Sequence, residues 1–343
     1  MPQTSNIQTK QIPRKLRLSA AERLVAVSGR REAAKRLLAS APKHGIDLDL
    51  MWGVIQHPSA DLAHKTPLRV RQVALAVLGA GRTAMIFLSN PDSTCDLGSE
   101  EIQTQEIRTS VIAALEGLRA LAPERVTLAQ TLIEPEHTWA HKACTDGGMI
   151  CVGQLDYLRK PIAQDGSSTL PPPSAAQKQV WPIGVTVRAI RSLDRDAVDS
   201  DHDLLIAALE GSYEETLDCP ELCGLRSMDD VIESHRATGV FDPTRWHLIF
   251  KDEQPAGCCL LSHIPQSNSV ELVYLGISPQ ARGLGLGRSV LSYAIDQLGA
   301  LAFNEVTCAV DNRNTPALSI YESLGFKCFD ARIGFVAPIR PKA

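Results

Sequence analysis

The pattern of apolar and polar positions predicts two successive series of strands and helices, and so a mixed α/β protein. In the first half, the predicted elements are helical segments over 19–41 with a break near Gly29, strands at 70–78 and 83–88, a helix over 99–121, a strand at 126–132, a short helix at 138–144 and a strand at 149–158. In the second half, they are a strand at 185–190, helices over 203–217 and 228–238, strands at 246–250, 258–263 and 270–277, a helix containing Val290 and Leu298, a strand at 305–310 and a helix after Asn314.

The two series follow a similar order, which we interpret as a tandem duplication. Residues 161–184, which separate them, are rich in proline and serine, a composition typical of a solvated, semi-extended linker. The predicted domains are therefore residues 1–160, a linker over 161–184, and residues 185–343.

Composition limits the class of protein. The chain has 343 residues, 44% of them hydrophobic, and a formal net charge of −4, which suits two domains with their own cores and disfavours nonspecific nucleic-acid binding. No apolar run is long enough to cross a membrane, and residues 1–17 are polar and basic, unlike a secretory signal. The nine cysteines form no regular framework. We expect a cytoplasmic protein that binds neither nucleic acid nor membrane.

Two patterns superficially resemble metal sites. His137 and His141 lie one helical turn apart, and Cys219 and Cys223 are four positions apart. Glu134 and Glu136 lie near the histidines, so metal ligation is conceivable there. The cysteines could suggest half of a zinc site or a redox pair, but no second ligand pair sits at metal-binding spacing. We favour a solvated helix end for the histidines and a packing role for the cysteines, and we predict no metal.

A glycine-rich loop separates the strand at 270–277 from the helix that follows it. Gly283, Gly285 and Gly287 leave the backbone amides of this loop uncovered, and the helix dipole adds partial positive charge at the same point. Arg282 and Arg288 flank the loop. The stretch predicts a phosphate-binding cradle, although its spacing matches neither a Rossmann fingerprint nor a P-loop.

Two motifs identify a family resemblance. Gln280-Ala-Arg-Gly-Leu-Gly resembles the Q/R-x-x-G-x-G/A pyrophosphate loop of the GNAT acetyltransferases. Further on, the stretch from Asn314 to Phe326 resembles the family signature N-x-x-A-x-x-x-Y-x-x-x-G-F at every fixed position. The resemblance covers residues 185–343. It implies an α/β (α+β) fold of two GNAT-like units, each with a mixed, largely antiparallel central sheet flanked by helices.

The resemblance also implies acetyl-CoA as co-substrate and a set of residues that bind it. Pantetheine would pair with the strand backbone, the diphosphate would rest on the loop, and the asparagine of the second motif would complete the site. The implied residues are Leu275, Gly276, Ile277, Gln280, Ala281, Arg282, Gly283, Leu284, Gly285, Leu286, Gly287 and Asn314.

Two side chains are candidates for proton transfer. Glu271 lies six residues before Ile277, the spacing of the general-base glutamate in one branch of the family. We expect its side chain to share a face with Val273 and Leu275, away from Tyr274, where apolar neighbours would raise its pKa. Its alternatives are a solvated strand end or an acceptor-binding carboxylate. Tyr321 corresponds to the family tyrosine that protonates the departing thiolate, and its alternative is a packing role.

The glycine-rich loop and its flanking arginines have no counterpart in the first unit. Residues 89–98 contain no comparable glycine repeat, and Asp92 and Asp96 stand where the second unit has arginines, so we expect a structural unit or a lid. The predicted function is direct acetyl transfer to a primary amine of a small molecule or peptide, in the C-terminal domain. The alternatives are acetylation of a cysteinyl-sugar amine and a non-catalytic, CoA-binding regulatory role.

Overall fold

The protein is described by a computed structural model that covers residues 6–25, 29–58, 68–92, 97–121, 124–162, 180–298 and 302–339. Residues 163–179, most of the predicted linker, lie outside these ranges. The chain divides into two compact units, of which the first comprises Met1–Val152 with Ile333–Ala343 and the second Gly153–Arg332. No helix among the described residues is long and apolar enough to cross a membrane.

The elements follow one another in the predicted order. In the first half they are β1 (Asn6–Gln11), α1 (Arg17–Leu24), α2 (Arg30–Ser40), β2 (Met51–His57), β3 (Arg69–Gly79), β4 (Thr83–Leu88), α3 (Glu100–Arg119), β5 (Leu128–Ile133), α4 (Thr138–Asp146) and β6 (Ile150–Pro161). In the second half they are β7 (Val185–Ala189), α5 (His202–Tyr213), α6 (Met228–Arg236), β8 (Trp246–Lys251), β9 (Gln254–Ile264), β10 (Ser269–Ile277), α7 (Leu286–Asp296), β11 (Glu305–Asp311), α8 (Thr315–Ser323) and β12 (Lys327–Pro338).

The predicted elements are confirmed, and three strands were missed: β1, β2 and β12. Strand β1 is mostly polar, so it carries no apolar alternation, and β2 is a short apolar run without a flanking signal. The two strands pair with each other along their whole length, from Asn6 opposite His57 to Gln11 opposite Trp52. Pairing with a partner distant in sequence therefore decides their conformation.

Each unit contains a sheet of six strands with the same pattern of directions. In the first unit the order is β1-β2-β3-β4-β5-β12, and in the second it is β7-β8-β9-β10-β11-β6. Neighbours in each sheet are antiparallel, except for one parallel pair in each: β4 with β5 in the first and β10 with β11 in the second. The fold is thus a mixed, largely antiparallel α/β arrangement, and the matching patterns support the duplication hypothesis.

The sixth strand of each sheet comes from the other half of the sequence. Residues 155–161 of β6 pair with β11 in the second unit, and residues 333–338 of β12 pair with β5 in the first. Each of these strands follows the short helix of its own half, α4 or α8. Domain boundaries drawn at residues 160 and 185 did not anticipate this exchange, because strand pairing between distant segments leaves no mark in the local sequence.

Helices cover both faces of the sheet in the second unit. One apolar cluster, here called the α7/α8 core, includes Val270, Leu272, Val290, Leu291, Val306 and Tyr321. The other, the α5/α6 core, includes Leu205, Leu209, Val231, Trp246 and Cys258. Successive side chains of a strand point to opposite faces, so β10 contributes to both cores and holds its backbone rigidly between them.

Candidate functional site

Strands β10 and β11 pair at one end and diverge at the other. Their ladder, in the described residues, consists of Val270 opposite Val306 and Glu271 opposite Thr307. On its other side, β10 stays paired with β9 as far as Ile277, which lies opposite Gly257. The backbone of residues 275–277 is therefore anchored on the β9 side and open towards β11. An open strand edge of this kind can receive the backbone of an extended, peptide-like ligand.

A β-bulge in β10 changes which side chains face the opening. The register with β9 shifts between Leu272 and Tyr274, so Val273 is the extra residue. Leu275 consequently packs with the α7/α8 core, whereas Val273 and Tyr274 pack with the α5/α6 core. The expectation that Glu271 shares a face with Leu275 and points away from Tyr274 is wrong, because simple alternation does not continue through a bulge.

The glycine loop ends in an uncovered helix N-terminus. Gly283 and Gly285 have φ angles of 79° and 70°, a region that favours glycine, and a Cβ at either position would meet nothing within 4 Å. Gly285 is the N-cap of α7, and no side chain caps this helix. The first bond of the helix joins the amide of Ser289 to the carbonyl of Gly285, which leaves the preceding amides free. These amides can bind an anion.

The open strand edge and the helix N-terminus line one cleft of about 490 Å³ in the second unit. Of the residues predicted to bind the donor or act in catalysis, most line it: Leu275, Gly276, Ile277, Ala281, Arg282, Gly283, Gly285, Leu286, Gly287, Asn314 and Tyr321. Three predicted residues are not in the lining, namely Glu271, Gln280 and Leu284. The structure therefore brings together two motifs that are separated in sequence by α7 and β11.

The two arginines beside the loop are in different environments. Arg282 donates from Nε to the carbonyl of Ile277 (2.9 Å) and from its terminal nitrogens to the carbonyls of Glu214 (2.6 Å) and Ser212 (3.2 Å). Its guanidinium thus ties the segment after α5 to the glycine loop. Arg288 also lines the cleft, is exposed, and has no polar partner among the described residues. Arg288 is the arginine whose charge is available to a ligand.

Helix α8 places Asn314 and Tyr321 along the cleft. The side-chain oxygen of Asn314 caps the helix by accepting from the amide of Ala317 (3.3 Å). Tyr321 is 6% exposed, and its ring packs against Phe326 at 5.6 Å between centroids. Burial, with smaller contributions from Cys308 and Asp218, raises the pKa of Tyr321 well above its ordinary value. The phenol stays protonated at neutral pH and can act as a proton donor.

Glu271 is half-buried beyond the edge of the cleft. Its neighbours in the strand, Val270 and Leu272, belong to the α7/α8 core, so its side chain points to the opposite face. Burial raises the pKa of Glu271, as was expected for a proton acceptor, and its charge also raises the pKa of Tyr157. The environment fits the predicted chemistry, while the position lies outside the cleft lining.

The segment after α5 supplies cleft residues that the sequence did not reveal. Glu215, Thr216, Leu217 and Asp218 line the cleft. The segment is attached to the end of β11, because the amide of Asp311 donates to Asp218 (3.0 Å) and the amide of Cys219 donates to Asp311 (3.0 Å). No motif marks these residues, because Asp218 and Asp311 are 93 positions apart in the sequence and come into contact only in the folded chain.

The first unit has no matching site in the residues that the structure describes. Strand β4 pairs with β3 without a register shift. The carboxylate of Asp92 is buried and paired with Arg23 (3.1 Å) and Arg30, so it anchors α1 and α2 to the end of β4. Asp96 lies outside the described residues. Within the described ranges, no cluster of three or more histidine, cysteine or acidic side chains could hold a metal ion.

An open strand edge beside an uncovered helix N-terminus defines an α/β protein with a cleft for an anionic, partly peptide-like ligand. Residues 209–326 match the model of the Acetyltransferase (GNAT) family. The second unit therefore contains a GNAT domain.

Named relatives are similar to this chain in sequence, and a solved structure is similar to it in fold. The chain is 25% identical over 212 residues to mycothiol acetyltransferase of Streptomyces bingchenggensis and 29% identical over 211 residues to that of Thermomonospora curvata. Each match covers 60% of this chain, and 63% and 64% of the relatives' own length. A GCN5-related N-acetyltransferase from Sphaerobacter thermophilus has a similar fold, with a TM-score of 0.56 and 16% identity over 98% of this chain and 97% of that one.

Proposed function

We propose that the second unit transfers the acetyl group of acetyl-CoA to a primary amine. The observation that carries this proposal is the convergence, in one cleft, of the open backbone of residues 275–277, the bare N-terminus of α7 and the hydroxyl-bearing side chain of Tyr321. The match of residues 209–326 to the Acetyltransferase (GNAT) family model supports it independently.

The cleft fits the chemistry of acetyl-CoA. Space is open where a side chain at Gly283 or Gly285 would stand, so phosphate oxygens can reach the free amides at the start of α7. The exposed guanidinium of Arg288 adds positive charge there. The strand edge at Leu275 and Ile277 offers backbone donors and acceptors to the two amides of pantetheine. The donor would thus lie along β10, with its charged end at the glycine loop.

The chain's own residues then have distinct tasks. A backbone amide of β10 would polarise the thioester carbonyl, and Tyr321 would protonate the leaving thiolate. An aliphatic amine, with an ordinary pKa near about 10, must lose a proton before it attacks. Glu271 is the candidate acceptor from the sequence, and because it lies outside the cleft lining, a water molecule would have to connect it with the amine.

The acceptor is proposed more narrowly from the relatives. Proteins with 25–29% identity are named mycothiol acetyltransferases. This favours the cysteinyl amine of a sugar conjugate as a specific acceptor over an arbitrary amine. The remaining alternative is a regulatory protein that binds CoA without turnover.

The test is calorimetric titration of the full chain with acetyl-CoA, followed by a thiol-release assay with S-methylcysteine, glucosamine and lysine as acceptors. S-methylcysteine presents a cysteinyl amine without a free thiol that would disturb the assay. Binding with amine-dependent thiol release is the expected result. Binding without release across these amines would favour the regulatory alternative, and absence of binding would refute the proposal.

A further inference from the structure

The lining of the cleft contains two carboxylates, Glu215 and Asp218, both contributed by the segment after α5. Glu215 adopts a left-handed φ of 51° and is exposed, and its carbonyl lies 3.5 Å from the guanidinium of Arg282. Asp218 is also exposed and lines the cleft together with Asn314 and Tyr321. The cleft therefore has its own acidic group near the phenol, distinct from Glu271.

Asp218 is held in place by neighbours from two elements. Its Oδ1 accepts from the amide of Asp311 at 3.0 Å, at the end of β11. Asn314, the residue that caps α8, lines the same cleft. Asp311 is in turn bound by Arg313, whose guanidinium pairs with Glu221 at 2.8 Å. This network fixes the direction of the carboxylate while leaving it accessible to solvent from the cleft.

The carboxylate is close enough to the reacting groups to influence them. Burial is the main cause of the raised pKa values of Tyr321 on α8, Tyr274 on β10 and Cys308 on β11, and the negative charge of Asp218 adds to each. Asp218 and Tyr321 line the same cleft, and Asp218 lies beside the end of β11, where it accepts from the amide of Asp311. The cleft thus contains both a carboxylate and a phenol.

We propose that Asp218 binds the acceptor amine and takes its proton. This inference rests on the proposed acetyl transfer and differs from it in naming a carboxylate that the sequence did not. Desolvation by the surrounding chain raises the pKa of Asp218, against the effect of its hydrogen bond from Asp311, and a raised pKa is the direction that a proton acceptor requires.

The step balances as follows. The ammonium form of the acceptor gives one proton to the carboxylate of Asp218, and the neutral amine attacks the thioester carbonyl. The nitrogen–carbon bond forms, the carbon–sulfur bond breaks, and the thiolate receives a proton from Tyr321. The second amine proton restores the phenol through solvent, and Asp218 returns its proton to bulk water. The products are the acetamide, the free thiol and one proton.

The titratable and charged groups around Asp218 come from every element packed against it. They are Tyr213 on α5, Cys219 and Glu221 in the following segment, Tyr274 on β10, Cys308 and Asp311 on β11, Arg313 after β11 and Tyr321 on α8. The pKa values of the two cysteines and three tyrosines are raised, and that of Glu221 is lowered, so none of these groups titrates near neutrality. Because the acceptor's ammonium group also titrates, only a limb of the rate profile that Asp218→Asn removes is assigned to this carboxylate.

The experiment compares Asp218→Asn with Glu214→Gln, a change in the same segment at a carboxylate outside the cleft lining. The substrates are acetyl-CoA and S-methylcysteine, and kcat/KM is measured from pH 6 to 9 together with the Kd of acetyl-CoA. Asp218→Asn keeps an oxygen for the amide of Asp311, so the segment should stay attached. We expect kcat/KM at pH 7 to fall about 10²- to 10⁴-fold with an unchanged Kd, and the loss to shrink as rising pH deprotonates the amine.

A purely structural role predicts a different outcome. Loss of the segment's position would lower the rate by the same factor at every pH and would alter the Kd, and either result overturns the inference. Glu271→Gln, assayed in parallel, identifies the competing base. If that variant loses activity while Asp218→Asn matches the wild type, Asp218 is excluded, but acetyl transfer by the wild type still stands.

Discussion

Replacement of Gly285 by Asp and by Asn tests the anion site at the start of α7. Both side chains tolerate the left-handed φ of 70° at this position, and neither would meet another atom within 4 Å of its Cβ. The two variants have nearly the same size and shape and differ by one negative charge. That charge would stand beside the free amides of Leu286 and Gly287.

The expected size of the effect follows from Coulomb's law. Two unit charges about 5 Å apart interact by about 1 kcal/mol in water and by about 3 kcal/mol at an effective dielectric constant of about 20. The aspartate should therefore weaken binding of the diphosphate by about 1–3 kcal/mol, or roughly 5- to 150-fold in Kd, relative to the asparagine. The same carboxylate interacts favourably with the dipole of α7, so the Asp variant should be at least as stable as the Asn variant.

The assay is calorimetric titration with acetyl-CoA at low and high ionic strength, with thermal unfolding as a check on folding. The ratio of the two Kd values should fall as salt screens the added charge. Acetyl-pantetheine, which carries no phosphate, serves as the control ligand. Its Kd should be nearly the same for the Asp and Asn variants. Equal affinity of the Asp and Asn variants for acetyl-CoA at low salt would refute the assignment of the diphosphate to this loop.

Three further perturbations address other parts of the site and the fold. Tyr321→Phe should lower kcat by about 10²-fold with little change in the Kd of acetyl-CoA, and an unchanged rate would remove its role as proton donor. Arg282→Ala should lower the free energy of unfolding by about 1–3 kcal/mol, because the guanidinium loses its hydrogen bonds to three carbonyls. Arg288→Ala should leave the stability unchanged and weaken the binding of acetyl-CoA at low salt. Loss of stability in Arg288→Ala, with none in Arg282→Ala, would contradict the environments assigned to the two arginines. Burial opposes the ionisation of Asp201, but hydrogen bonds from two arginines outweigh this effect and hold the pKa of Asp201 well below its usual range. The ionised carboxylate therefore stabilises the folded state at neutral pH, and this stabilisation is lost as the pH falls through the lowered pKa. Asp201→Asn should therefore lower the free energy of unfolding, measured by denaturant titration at pH 7, by about 1–3 kcal/mol. The difference in unfolding free energy between variant and wild type should become smaller in acid, and a constant difference would contradict this explanation.

Local chemistry made much of the second unit predictable from its sequence. Glycine is favoured at positions 283 and 285 because the chain adopts left-handed φ angles there. The helix that follows has no capping side chain, so its first amides stay free, and neither feature depends on the rest of the fold. Asn314 and Tyr321 are seven residues apart, two turns of one helix, so their common face follows from helical geometry. These features depend on neighbours within a few residues, and each was correctly anticipated as a structural feature.

Features that depend on distant contacts were decided by the tertiary structure. The bulge at Val273 moved Leu275 to the other face because β9 pairs with β10 out of simple register. Arg282 bonds to carbonyls after α5 instead of standing free, and Asp218 enters the cleft because Asp311 holds it there. The exchange of β6 and β12 between the sheets has the same origin. A hydrogen bond between residues far apart in sequence constrains each of them only after the chain has folded, and so the sequence alone locates the glycine cradle but not the carboxylate of Asp218 in the same cleft.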